Sequence, residues 1–452
     1  MNVYLSENFA PVVDEITAFD LPVAGQLPKS LNGRYLRNGP NPFGAVDAST
    51  HHWFLGDGMV HGIRLRDGKA EWYRNRYVGS DRVAAQLGRP ISGPNWNGGD
   101  TGANTNVGGF AATTWAMVEA GGAPVELTYD LDTVARNDFF GTLPGPFTAH
   151  PKYDPRSGEL HAMAYGAGKW FDHTQYIVVG TDGRVRRTVD VPMGMSMLHD
   201  MALTERYAVV FDFPAVVDLD RAFAGERFPI SWKPDYGSRI GLLPREGEAS
   251  DIVWIDAPIC YSFHPLNAYD RADGTLVIDL CVYDKMADND RLGPFGDALP
   301  RLERWEVSPT ARTISVTVID DSPQEFPRTA NSVGTVEHRY GYVAGVGQDR
   351  LGDTIKHDLQ TGARTSWNWG PGWGAGEPVF VARSADEGGD GAEDDGWLVT
   401  YTHAQDASAA NFVVLDAQDV ARGPVATVTM PQRIPYGFHG NWVSDSSVPP
   451  PT

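Results

Sequence analysis

Cysteine is nearly missing from this chain: 452 residues hold two, Cys260 and Cys281. Each sits in an apolar stretch, "APICYSF" and "VIDLCVYD". The expectation is two buried reduced thiols in a cytoplasmic protein, with one disulfide as the alternative. Long hydrophobic runs are missing too. No segment reaches the ~20 apolar residues a spanning helix needs, and "MNVYLSENFAPVVDEITAFDLPV" has neither the basic start nor the apolar core of a signal peptide. Positive charge is outnumbered, with 37 Lys and Arg against 58 Asp and Glu, a formal net charge of -21. A phosphate backbone needs a basic face, so nucleic acid is excluded as a partner. Apolar contact at the periphery of a membrane stays open, because net charge does not report apolar patches.

Uninterrupted helical pattern is the next absence. Gly 50 and Pro 32 are spread along the whole length and leave little room for long helices. Between these breaks lie short β-branched and aromatic runs such as "QYIVVGT", "RYAVVFDFP", "TLVIDLCVYD" and "NFVVLDA", separated by turns such as "TDG" and "RADG". This is an antiparallel all-β pattern. With no internal change of composition, 1–452 reads as one domain, and about 60 residues per unit would give about seven four-stranded blades of a β-propeller. Helices are expected only in insertions, for example around 218–225. The glycine-rich acidic segment 384–396 and the tail 444–452 are expected to be flexible.

Zinc signatures such as HExxH or paired CxxC are absent, and "GPGWGAG" lacks the flanking strand and helix of a dinucleotide loop. Among twelve histidines, four stand apart by context: His150 in "FTAHPKYDP", His199 in "SMLHDMALT", His264 in "YSFHPLNAY" and His439 in "YGFHGNWV". Each follows an apolar or small residue and precedes Pro, Asp or Gly at an expected strand end. Propeller geometry brings inner strands of different blades to one axis. Four imidazoles converging there would suit Fe, Cu, Zn or Ni.

These motifs, with "NFAPVVDEITAFDLPVAGQLPKSLNGRYLRNGPNP", "HWFLGDGMVHGIRL", "NTNV", "EFPRTANSVGT" and "GEPVFVAR", resemble the carotenoid cleavage oxygenases along nearly the whole chain. The resemblance implies a seven-bladed propeller with loop and helical insertions capping an axial Fe(II) on His150, His199, His264 and His439. It also implies that Glu119, Glu325 and Glu377 hold the rings of His199, His264 and His439, leaving His150 without a carboxylate. An accepting carboxylate fixes a ligand's tautomer and raises its basicity. Thr105 matches a small side chain beside an open iron position, where its methyl would limit access of O2 and water. His51, His52 and His61 then read as framework.

The implied reaction adds O2 across one C=C bond and yields two carbonyl products, with electrons drawn from an electron-rich alkene. In the branch that cleaves lignin-derived stilbenes, a lysine precedes the first glutamate and a tyrosine upstream assists it. Here Val118 stands in that place, and 82–99 has neither Tyr nor Lys. A carotenoid or apocarotenoid is therefore the expected substrate. Stilbene or isoeugenol cleavage, polyene isomerisation and a non-catalytic scaffold are the alternatives. Phe54, Trp115, Val118, Met197, Phe263 and Trp442 neighbour the motifs and are the candidate tunnel residues.

Overall fold

The computed structural model describes residues 2–96, 102–166, 170–347 and 350–451. Seven antiparallel sheets are arranged as the blades of a propeller. The first four blades each use four consecutive main strands, starting at Asn106–Phe110, Lys152–Tyr153, Met201–Leu203 and Pro265–Asp270. The fifth runs from Gln324–Arg328 to Ala363–Trp367. The last two recruit strands from the other end of the chain. Val23–Gly25 pairs with Pro424–Thr429 at the edge of the sixth blade. Gly440–Ser444 pairs with Gly33–Pro40 as the innermost strand of the seventh. The ring is thus closed by antiparallel pairing between strands near the two ends of the chain.

Burial explains the sequence pattern of the strands. Middle strands are covered on both faces by neighbouring blades, so Leu276–Val282 and Gly396–Ala404 are buried along their whole length and read as near-continuous runs. Outer strands face water on one side. Thr313–Asp320 keeps Val316 and Val318 exposed. Both cysteines are buried free thiols.

Several buried polar side chains are paired within a blade. His61 Nδ1 lies 2.8 Å from Tyr73 Oη, His161 Nδ1 2.6 Å from Tyr176 Oη, and His357 Nε2 2.6 Å from Gln324 Oε1. Burial holds His52 and His403 at a pKa of about 3, and His161 and His357 at about 4, against an ordinary 6.5. An unfolded chain would bind these protons near 6.5 while the fold refuses them, so their stabilisation is present above 6.5 and lost as pH falls toward 4. The cost reaches about 1.4 kcal/mol per histidine per pH unit. The urea midpoint should therefore fall from pH 7 to pH 5, with proton uptake on unfolding. Equal midpoints and no uptake would contradict this.

The insertions lie over one face. Strand Ala215–Val217 pairs with Ile230–Trp232 outside the blades, and helix Leu219–Phe223 between them starts at Asp218, whose carboxylate accepts from Arg221 N–H. Helix Asp81–Leu87 was not expected from the sequence. Its signals are present nonetheless: Ser80 accepts from Val83 N–H, and Gly88 ends it at φ +66°. The acidic segment 384–396 is tied by charge to the fifth and sixth blades. Glu393 accepts from Arg339 and Tyr340 N–H, Asp394 meets Lys356 at 2.6 Å, and Asp395 meets Arg383 at 2.7 Å. In the tail, Asp445 pairs with Arg64 at 2.6 Å, and Val448 is buried beside Val107 and Val443. Among the described residues no helix is long and apolar enough to cross a membrane.

Candidate metal centre

The four singled-out histidines come from four blades and occupy matching places. His264 and His439 immediately precede the innermost strands of the fourth and seventh blades; His150 and His199 stand two residues before those of the second and third. Their available ring nitrogens all lie within 4.8 Å of one another, and all four are buried. Nε2 of His199 and His264 are 3.2 Å apart. The 4.8 Å limit is close to the roughly 4.2 Å that one first-row ion with bonds of about 2.1 Å to nitrogen can span. His150 Nε2 is buried without a hydrogen-bond partner, which suits a ligand atom.

The three remaining blades supply carboxylates. Glu119 follows the second strand of the first blade, Glu325 lies in the innermost strand of the fifth, and Glu377 stands between Trp373–Ala375 and Val379–Ala382 of the sixth. Glu119 Oε1 is 2.8 Å from His199 Nδ1, Glu325 Oε2 2.6 Å from His264 Nδ1, and Glu377 Oε1 3.0 Å from His439 Nδ1. With Nδ1 committed, each ring turns Nε2 to the axis. No carboxylate pairs with His150 among the described residues.

The three glutamates differ in surroundings. Glu377 also accepts from Gly440 N–H at 2.8 Å and meets Arg328 at 3.5 Å. Burial opposes its charge, yet Arg328 and His439 hold its carboxyl below the ordinary range. Burial pushes Glu325 up to about 8 and drives His264 well down, so without a cation this pair favours its neutral forms. A dication at the ring nitrogens would favour the carboxylate again. Glu119 is the least enclosed, and its Oε2 accepts from Tyr165 Oη at 3.3 Å.

Backbone shape helps to bring these groups together. Phe326, next to Glu325, has φ +56° beside an irregularity in the fifth blade's strand pairing. Such a conformation in a bulky residue needs support from its surroundings. Gly437 is small for a different reason: a Cβ there would collide with the Arg37 guanidinium, and one on Gly440 would stand 2.8 Å from Leu36 O.

The cluster separates two cavities. One, of about 660 Å³, is largely apolar and lies beneath the insertions. Phe54, Thr105, Val118, Met197 and Phe263 line it, as do His199, His264 and His439. Trp115 and Trp442 do not. Both border the second cavity, and Trp115 is also packed against Phe139 in the core between blades. Trp53, Phe326 and Phe438 line the apolar cavity without having been singled out. A signal was available for Phe438: it precedes His439 as Phe263 precedes His264, and both rings reach the cavity.

The second cavity, about 770 Å³, is more polar and reaches His150, His264 and His439 from the opposite face, past Lys152, Asp200 and Arg328. Thr105 immediately precedes the innermost strand of the first blade, the place histidine holds in the fourth and seventh. Its hydroxyl donates to Asn104 Oδ1 at 2.9 Å. His52 Nδ1 accepts from Phe54 N–H, and neither it, His51 nor His61 belongs to the cluster. Of the stretch 82–99, residues 97–99 lie outside the described residues.

Residues 9–444 match the retinal pigment epithelial membrane protein family. A carotenoid cleavage oxygenase from Mycobacterium tuberculosis is 42% identical, covering 98% of this chain and 97% of its own length. The chain belongs to the carotenoid cleavage oxygenase family. Within that family, a carotenoid 9,10(9',10')-cleavage dioxygenase of Crocus sativus is 30% identical over 98% of this chain and 90% of its own. The crystal structure of Pseudomonas brassicacearum lignostilbene dioxygenase superposes with TM-score 0.87 at 28% identity, covering 98% of both chains. Cobalt-substituted Synechocystis ACO gives 0.83 at 26%, covering 96% and 97%.

Proposed function

We propose that the protein is a ferrous-iron dioxygenase that cleaves one C=C bond of a carotenoid or apocarotenoid with O2 into two carbonyl products. The observation that carries this reading is a four-histidine cluster set in the wall of an apolar cavity. His150, His199, His264 and His439 would hold the iron, and Glu119, Glu325 and Glu377 would fix three of the rings. When bound, Fe(II) supplies the redox chemistry that activation of O2 requires. The chain itself supplies position and dryness. Phe54, Phe263 and Phe438 meet edge to face, with Phe54 5.9 Å from Phe263 and 5.5 Å from Phe438. Such walls hold a flat apolar chain and exclude water. Thr105, its hydroxyl engaged, offers its methyl as the group that restricts approach. No proton transfer by a side chain is needed.

A stilbene is the second reading, favoured by the structural likeness to a lignostilbene dioxygenase. Val118 argues against it, since an aliphatic side chain at the cavity wall cannot bind a phenolate. Iron-loaded protein given carotenoids, apocarotenals and stilbenes under 18O2 separates the readings. Two labelled carbonyls from a polyene are expected. Turnover of stilbenes alone, or unlabelled product, would overturn the proposal, the latter in favour of isomerisation.

Peripheral contact with a membrane fits the rim of the cavity, where Leu219, Phe171 and Phe223 are 39%, 48% and 85% exposed. Inside, Met197 is 2% exposed and its carbonyl accepts from Tyr261 Oη at 3.0 Å, so its backbone is fixed. Met197→Trp should narrow the cavity and cut polyene turnover about tenfold or more at unchanged iron content. Wild-type turnover would remove Met197 from the substrate path.

A further inference from the structure

Charge around the apolar cavity is distributed unevenly. Deep inside, Glu119 and Glu325 face the histidines. At the rim stand Glu226 and Arg227, both exposed. Glu226 is already compensated, with Arg221 at 2.7 Å and Arg291 at 3.4 Å. Arg227 makes no ion pair and no side-chain hydrogen bond among the described residues. It lines the cavity together with the apolar side chains of Leu219, Phe223 and Phe228. A rod-shaped ligand entering the cavity would therefore meet one uncompensated cation, at its trailing end.

A hydrocarbon gains nothing from that cation, because it has no acceptor. A polyene ending in a carboxylate or aldehyde does gain, since a guanidinium donates to either and pairs with the first. We propose that Arg227 selects polyenes with a terminal oxygen function, carboxylate before aldehyde, by binding the end that remains at the cavity mouth. This rests on the cleavage reading above. It places the enzyme after a reaction that has already cut or oxidised a longer polyene, because only such a step leaves oxygen at the chain end. Contact with an anionic lipid surface is the competing role for a rim arginine. A formal net charge of -21 opposes it, and Arg227 borders the cavity itself.

The test compares wild type with Arg227→Gln on an apocarotenoic acid, the matching apocarotenal and β-carotene. The kcat/KM ratio of acid to hydrocarbon should fall about fivefold, through KM, as expected for one partly exposed charge pair. Arg227→Lys should recover part of the loss. Quenching of tryptophan fluorescence in iron-free protein gives a second readout, in which acid binding weakens by the same factor. An unchanged ratio in both readouts overturns the proposal. So does loss of sedimentation with phosphatidylserine vesicles at an unchanged ratio, which assigns Arg227 to the membrane surface. If the wild type cleaves none of the three, the cleavage reading fails, and the binding ratio alone decides the role of Arg227.

Discussion

His439→Ala is expected to take bound iron from about one equivalent to background and turnover below detection, while the circular dichroism of the propeller persists. The substitution removes one of four nitrogens and opens space beside His150 and His264, whose ring centroids lie 4.6 and 4.7 Å from that of His439. Four neutral donors give a dication no charge compensation, so the site depends on the number and placement of its nitrogens. Glu377 would keep Arg328 and the Gly440 N–H as partners, which is why the fold should survive. Metal content measured beside activity decides the matter. One equivalent of iron with normal turnover would show that the metal sits elsewhere.

Glu377→Gln should weaken iron binding 10- to 100-fold, roughly the effect of losing a partner that orients a metal-bound histidine. The amide can still accept from His439, but it carries no charge to raise the basicity of the ring. It also leaves the Arg328 guanidinium without its carboxylate. Competition with a chelator should show the drop, and excess Fe(II) should restore turnover. Glu119→Gln should cost less, because Glu119 is more open to solvent than Glu377. A chelator midpoint identical to wild type would mean that Glu377 serves only the packing around Arg328.

The propeller was legible because blades bury their middle strands on both faces. That burial writes runs such as "TLVIDLCVYD" into the sequence, and glycine-rich turns mark where they end. The histidines were separable by context, since each precedes an innermost strand. Their pairing with Glu119, Glu325 and Glu377 was not: each pair is separated by dozens of residues and joins different blades, and only the family resemblance linked them. The cavity walls were the least legible part. Trp115 and Val118 lie three positions apart, yet one packs between blades and borders the polar cavity while the other lines the apolar one. Which face a residue takes near a strand end depends on the exit angle of the chain, and composition does not record it. The polar cavity behind the histidines gave no local signal, because its lining comes from many blades.

Closure of the ring by Gly440–Ser444 against Gly33–Pro40 bears on how the protein is made. His439 adjoins the closing strand, so the fourth ligand arrives only when that strand docks. A nascent chain still lacking this strand can build most blades but holds only three of the four nitrogens. An ion held by all four nitrogens would therefore be bound only after ring closure. The bound ion would in turn act as a clasp, tying the seventh blade to the second, third and fourth and slowing the reopening of the seam between the two ends of the ring.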